Sequence, residues 1–202
     1  MPKVPKEYLE KQKNNILDAA LHVFLQKGFE LATMTDVVEA SGFSRGGVYR
    51  YFSSTEEMMH AILERDLDAG NEYIMNLINE YNNMWDALNR YIEEVEKNID
   101  TSSKVGMMIY EYFITGWRNE TRKVYLQKRY QRGHASLVRL FEKGVKCGDF
   151  KPTQSIETIA SFIMNVFDGL YLEANLTDDD TINVKGQLSA VRYYLKNTLQ
   201  IT

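Results

Sequence analysis

Apolar residues recur at helical spacing along almost the whole chain, and no stretch alternates long enough with the period of two that indicates a strand. The 202 residues include only three prolines, which favours long helices. We predict an all-α protein with about nine helices: an N-terminal three-helix helix-turn-helix module followed by a larger C-terminal helical bundle. Polar joints with caps and breakers place the bundle helices at about 54–79, 84–99, 104–118, 121–147, 155–175 and 184–199.

Caps and glycines define the N-terminal module. Apolar residues between positions 16 and 25 have helical spacing and predict the first helix. Thr33-x-x-Asp36 is a variant of the capping box, with Asp where Glu or Gln is usual. Gly42 ends the short helix that follows, and Ser44 is a suitable N-cap for a third helix. This order of a helix, a short helix, a glycine turn and a short helix predicts a helix-turn-helix.

The third helix begins with two adjacent glycines in SGFSRGGVYRYF, residues 41–52. Each costs a helix interior about 1 kcal/mol relative to Ala. In a helix-turn-helix this end enters the major groove, and a glycine without Cβ lets the backbone approach bases or phosphates. Arg45, next to Gly46 and Gly47, can bind a guanine edge or a phosphate. Taken alone, the pattern equally fits a mobile loop followed by half-buried aromatic residues.

The stretch TMTDVVEASGFSRGGVYRYFSSTEEM, residues 33–58, closely resembles the DNA-binding signature of the TetR family of bacterial transcriptional regulators. The preceding ILDAALHVFLQKGF, residues 16–29, is similar to the first helix of that family. The resemblance implies a homodimeric repressor whose recognition helix, here 44–50, enters the major groove of a palindromic double-stranded DNA operator. By position it implies as DNA-binding residues Thr33, Ser44, Arg45, Gly46, Gly47, Tyr49, Arg50, Tyr51 and Thr55.

Two positions depart from the family pattern. Gly47 stands where members often carry Thr or Ser, and Thr55 where many carry a phosphate-binding Lys. Because Thr offers only a neutral hydrogen bond, we expect modest affinity and a shallow dependence on salt. An N-terminal arm with Lys3, Lys6, Lys11 and Lys13 could compensate, although Glu7 and Glu10 within it favour a merely solvated terminus.

We assign residues 1–53 to the DNA-binding domain and 54–202 to a ligand-binding and dimerisation domain. The segment 104–118 is apolar nearly all round, which predicts a helix buried on most sides. The resemblance implies a cavity, and aromatic walls suit a small amphipathic effector. The candidate lining residues are Tyr110, Phe113, Trp117, His134, Phe167 and Tyr171. Aromatic residues at this spacing equally fit an ordinary core, and His134 a solvated surface.

The last two predicted helices are candidates for a dimer interface. Segment 155–175 has apolar residues on more than one side, and 184–199 has a narrower apolar stripe. Two helices from each chain would form an isologous four-helix interface, the symmetry that a palindromic operator requires. The alternative is one large monomeric core.

Other classes of function find less support. Glu57-x-x-His60 is the only metal-like spacing, whereas a di-iron bundle needs that pattern twice. An alternative hypothesis is therefore a small-molecule-binding or di-iron helical bundle without a DNA-binding role. No nucleophile motif or phosphate loop is present, so we expect no enzyme, metal or cofactor. The lone Cys147, and the lack of a signal peptide or a long apolar segment, indicate a cytoplasmic protein without a membrane partner.

Overall fold

The computed structural model describes residues 5–100, 104–177 and 179–201, which contain helices and no strand. Nine helices of five or more residues lie in these ranges, together with one single-turn helix and one 3-10 segment, so the predicted all-α fold is confirmed. In chain order they are α1 Lys6–Lys27, α2 Met34–Ser41, α3 Arg45–Tyr49, α4 Thr55–Glu80, α5 Met84–Asp100, α6 Lys104–Thr115, η1 Gly116–Arg118, α7 Glu120–Cys147, α8 Ile156–Leu176, α9 Asp179–Ile182 and α10 Val184–Thr198. No helix of the described ranges has both the length and the apolar character of a membrane span.

Segment 104–118 differs most from its prediction. The α-helix ends at Thr115, and the chain continues as the 3-10 segment η1. The prediction that this segment is buried on most sides was wrong: Met108 and Tyr112 are buried, but Ile114 and Trp117 are 60% and 63% exposed. An apolar sequence does not require a buried helix, since much of any protein surface is apolar.

The chain forms two compact units. The N-terminal unit extends to Asp66 and includes Met108–Thr115, and the C-terminal unit comprises Leu67–Met107 and Gly116–Thr202. Helices α4 and α6 therefore each contribute residues to both units. The compact N-terminal unit continues past residue 53 because the first three turns of α4 belong to its core.

The core of the N-terminal unit contains aromatic and aliphatic side chains from each of its helices. The Phe29 ring packs edge-on against Phe24 and Tyr112, with centroid distances of 5.3 and 4.9 Å. The Tyr112 hydroxyl donates a hydrogen bond to Glu56 in the first turn of α4. Other fully buried residues of this core are Ile16, Ala20, Val37, Val48, Phe52, Met58, Met59 and Leu63.

The C-terminal unit has one continuous apolar core from α4, α5, α7, α8 and α10. Helix α7 ends where Gly144 lets the Phe150 ring approach its backbone: an added Cβ would lie 2.1 Å from Phe150 Cδ2. The end of α10 is hydrogen-bonded to the loop between α7 and α8: Lys151 N donates to Leu199 O and Thr153 N donates to Thr198 O, both at 2.8 Å. The central residues of this apolar core include Met84, Leu88, Ile92, Leu140, Phe141, Ile159, Ile163, Leu188 and Leu195.

Candidate nucleic-acid interface

The start of α2 is held by the predicted capping box. Asp36 N donates to Thr33 Oγ1 at 3.2 Å, and Thr33 N donates to Asp36 Oδ2 at 2.9 Å. The Thr33 hydroxyl also donates to Asp36, and Lys27 at the end of α1 pairs with the same carboxylate. The hydrogen bond from Lys27, followed by those from Thr33, lowers the pKa of Asp36 from 3.8 to about 2. This carboxylate therefore joins α1 to α2.

The turn into α3 follows the predicted layout. Gly42 ends α2 in the left-handed conformation, with φ of 69°, which a residue with a side chain rarely adopts. Ser44 is the N-cap of α3, and its Oγ accepts a hydrogen bond from Gly47 N at 3.1 Å. Val48 is fully buried and anchors this five-residue helix to the core. The opposite side of α3 is left on the surface.

The two glycines of α3 have different surroundings. A Cβ added at Gly46 would meet nothing within 4 Å, so this part of the helix surface is open. A Cβ added at Gly47 would lie 3.2 Å from Ser44 Oγ and 3.7 Å from the Phe43 side chain. Gly46 keeps the outer surface bare, whereas Gly47 also has a local role because it leaves room for the capping hydroxyl.

Basic and aromatic side chains surround this bare surface. Arg45 Cζ lies 5.5 Å from the centroid of the Tyr49 ring, and Tyr49 is 43% exposed. Arg45 and Arg50 are exposed, and within the described ranges neither forms an ion pair. Their guanidinium groups are therefore available to an anion or a base edge. Tyr51, which follows Arg50 in the sequence, is half-buried.

The start of α4 has a second set of caps. Glu57 N donates to Ser54 Oγ at 3.2 Å, while Ser53 donates to Glu57 Oε2 through its amide at 2.7 Å and its hydroxyl at 2.8 Å. Thr55 is the first residue of this helix and is half-buried. Glu57 is therefore engaged as a cap, and His60 instead faces Glu56, with 3.5 Å between Nε2 and Oε1.

A metal centre finds no support in the described ranges, which contain no group of three or more His, Cys, Asp or Glu placed to hold an ion. The Glu57-x-x-His60 spacing is accounted for by the cap and the neighbouring pair. The di-iron alternative is not favoured.

The lysines assigned to an N-terminal arm lie mostly on a helix. Helix α1 begins at Lys6, so Lys6, Lys11 and Lys13 are not part of an extended arm, and Lys3 lies outside the described residues. Lys13 is half-buried, and its Nζ lies 5.9 Å from the centroid of the Phe52 ring. Because Phe52 lies in the connection between α3 and α4, Lys13 brings a cation close to the start of α4.

The six predicted ligand-binding residues are divided between the units. Tyr110 and Phe113 belong to the N-terminal unit, with ring centroids 6.2 Å apart. Trp117, on the C-terminal side of the division, is mostly exposed and has Arg118 Cζ 4.6 Å from its ring centroid. The prediction that these side chains line one pocket therefore stays untested.

The remaining three candidates lie in the C-terminal unit. His134 Nε2 is 3.1 Å from Glu157 O and 3.0 Å from Ser161 Oγ, and its ring stacks on Tyr130. Phe167 is buried in the core, 6.0 Å from the Tyr91 ring. The Tyr171 hydroxyl donates to Asn98 O at 3.2 Å.

Comparison with known proteins identifies the family. A model described as bacterial regulatory proteins, tetR family, matches residues 16–62, and one described as tetracyclin repressor-like, C-terminal domain, matches residues 87–185. The uncharacterized HTH-type transcriptional regulator YfiR of Bacillus subtilis is 44% identical over 200 residues, which cover 98% of this chain and 97% of YfiR. The chain belongs to the TetR family.

More distant relatives agree with this assignment. This TetR-family chain is 22% identical over 158 residues to the transcriptional repressor KstR2 of Mycobacterium tuberculosis, covering 75% and 76% of the two chains. GusR of Salmonella enterica has the same fold, with a TM-score of 0.75 over 94% of this chain and 96% of GusR at 22% identity. The protein is a helix-turn-helix transcriptional regulator, and its family comprises regulators, not enzymes.

Sequence reasoning did not include three residues on α2 beside the recognition helix. Met34, Thr35 and Val38 line a cleft together with Arg45 and Tyr49. The spacing of Met34 and Val38 is one helical turn, which places them on one side of α2. That spacing was visible in the sequence, but the packing of α2 against α3 was not.

Proposed function

We propose that this protein is a ligand-responsive repressor that binds a palindromic operator as a homodimer and is released by a small amphipathic effector. The observation that carries the proposal is the bare outer surface of α3, where Gly46 is open and Arg45 has no ion-pair partner in the described ranges. Such a surface can enter a major groove without a side chain in the way.

The contacts divide into base-reading and phosphate-binding groups. Arg45, Gly46, Gly47 and Tyr49 would face the base edges, where an Arg prefers a guanine. The phosphate-binding groups would be Ser44, Arg50, Tyr51 and Thr55. Within the described ranges the Ser44 hydroxyl hydrogen has no acceptor, so it can donate to a phosphate oxygen.

Thr33 supports the interface in another way. Its hydroxyl already donates to Asp36 at 2.8 Å and accepts from Asp36 N, so it has no hydrogen left for a phosphate. We therefore assign Thr33 to the placement of α2 rather than to a direct contact with DNA.

Homodimer formation through α8 and α10 would use the outward sides of these helices. Their inward residues, such as Ile163 and Leu188, are fully buried in the core. The outward side carries Phe162, whose ring lies 4.6 Å from Tyr194, and Tyr193, which is 74% exposed. Large exposed aromatic residues of this kind favour a second copy over solvent.

Effector binding would reach the DNA-binding unit through α6. Residues 108–115 of this helix pack within that unit, where Tyr112 donates to Glu56 and Thr115 Oγ1 donates to Glu30 at 2.9 Å. An effector would weaken operator binding if it bound residues 54–202 more tightly in a state in which α6 is displaced. The coupling is reciprocal, so DNA would weaken effector binding by the same factor. Two relatives of similar fold are named for fatty-acid regulation, which is consistent with an amphipathic effector.

The test is selection of DNA by the full-length protein from a random duplex library in the low-salt range. We expect enrichment of an inverted repeat with half-sites about 34–36 Å apart or a multiple of that distance. Arg45→Ala should weaken binding to the enriched duplex by roughly fivefold or more. The melting temperature should not change, because the exposed Arg45 side chain forms no ion pair with any described residue. Arg139→Ala, at an exposed site on α7, is the matched control. Failure to enrich any sequence would overturn the proposal.

A further inference from the structure

A small apolar cleft lies between α2 and α3. Its volume is about 50 Å³, and its walls come from Met34, Thr35 and Val38 on α2 and from Arg45 and Tyr49 on α3. A single water needs roughly 10–15 Å³ of such space, whereas pockets for drug-sized ligands measure ~300–1,000 Å³. The cleft therefore has room for one small chemical group and is too small for an effector.

The walls of the cleft favour an apolar occupant. The Met34 thioether, the Val38 methyl groups and the Tyr49 ring supply carbon and sulfur surface, and the neutral hydroxyls of the lining residues are those of Thr35 and Tyr49. The guanidinium of Arg45 is held against the Tyr49 ring. A polar group placed among these carbon atoms would lose hydration without regaining its hydrogen bonds.

The cleft is continuous with the surface that we propose to enter the major groove. Arg45 and Tyr49 line the cleft and also belong to the recognition helix, and Gly46 between them adds no side chain. Among the groups that base edges present in the major groove, the 5-methyl group of thymine is the apolar one, whereas the others are hydrogen-bond donors and acceptors.

We infer that this cleft receives the 5-methyl group of a thymine in the operator, while Arg45 binds a guanine close to it. The inference rests on the proposed DNA-binding function and gives the operator a chemical requirement, a thymine and a guanine near each other in each half-site. The shared residue Arg45 sets this proximity, since one side chain is both a wall of the cleft and the guanine reader.

The experiment removes the methyl group alone. Each thymine of the duplex enriched by selection is replaced in turn by deoxyuridine, which keeps the base pair and lacks only the 5-methyl group. Burial of one methyl group corresponds to about a fourfold change in Kd. We expect one thymine per half-site whose replacement weakens binding about fourfold, and about fifteenfold when both half-sites are changed, with smaller effects at other thymines.

A variant of the cleft identifies where the methyl group binds. Val38→Thr keeps the side-chain volume but places a hydroxyl in the wall. The penalty for deoxyuridine should fall below twofold in this variant, while Val124→Thr, at an exposed site on α7, should retain the full penalty. If Val38→Thr proves unstable in thermal melting, Met34→Gln changes the same cleft at another wall.

Two results would overturn the inference. One is that no thymine shows a penalty, and the other is that the full penalty persists in the cleft variants. Either can occur with a protein that selects its operator normally, whereas a protein that enriches no duplex contradicts the proposed function itself.

Discussion

Replacement of each of the two adjacent glycines by alanine should have different effects on stability and so separate their roles. In Gly46→Ala the new methyl group meets no atom within 4 Å, so only the gain in helix propensity acts. This gain is at most about 1 kcal/mol. For a chain of 202 residues it corresponds to an increase in melting temperature of roughly 1–4 °C.

In Gly47→Ala the same gain is opposed by the capping hydroxyl. The added Cβ would lie 3.2 Å from Ser44 Oγ, which is tighter than an ordinary contact, so Ser44 must shift. Removal of a serine cap costs about 1 kcal/mol. We expect the free energy of unfolding of Gly47→Ala to be unchanged or lower than that of the parent protein.

In Gly46→Ala, DNA binding should weaken although stability rises. Gly46→Ala places a methyl group on the surface proposed to face the bases, and disruption of one bidentate hydrogen-bonded pair with a base costs ~1–3 kcal/mol. We expect the melting temperature to rise while binding to the selected duplex, measured by fluorescence anisotropy, weakens by about 5- to 150-fold. A Gly46→Ala protein that melts earlier, or that binds DNA like the parent, would refute the reasoning.

Three further predictions concern other parts of the chain. Gly144→Ala should destabilise the protein by ~1–3 kcal/mol in urea unfolding, because its Cβ would overlap the buried Phe150 ring; a neutral result would contradict the close approach. The pKa of Asp36 is lowered, so its contribution to stability is present above pH 3.8 and is lost as the pH falls towards 2. NMR titration should give a pKa of about 2 for Asp36, and this pKa should return towards 3.8 in Lys27→Ala. A normal pKa of Asp36 in the parent protein would contradict the Lys27–Asp36 pair. Lys13→Gln should reduce the slope of log K against log salt by about 0.9 for each phosphate that the lysine neutralises. The control Lys11→Gln, on the other side of α1, should leave the slope unchanged. Equal slopes for both variants would place Lys13 away from DNA.

Local signals account for what the sequence predicted well. Helix ends are set by side chains within three or four residues, such as Ser44 for α3 and Ser155 for α8, and these caps are present in the structure. The five bundle helices other than α6 consequently begin and end within one residue of their predicted positions. The turn at Gly42 could be predicted because a glycine in the left-handed conformation commonly ends a short helix.

Long-range packing accounts for what the sequence did not predict. Ile114 and Trp117 have the composition of core residues, yet their exposure depends on which neighbours the fold supplies. Lys13 is far from Phe52 in the sequence, so its place beside that ring could not be read from the helix pattern. The single turn α9 in a polar joint was missed because its four residues are too short for a periodic signal.

The most direct measurement is dimethyl sulfate protection of guanine N7, which lies in the major groove, on the selected operator. With the full-length protein we predict protection of one guanine in each half-site, and loss of that protection in Arg45→Ala at concentrations that still saturate the duplex. Unchanged protection in Arg45→Ala, or no protected guanine with the parent protein, would contradict placement of the bare surface of α3 in the major groove.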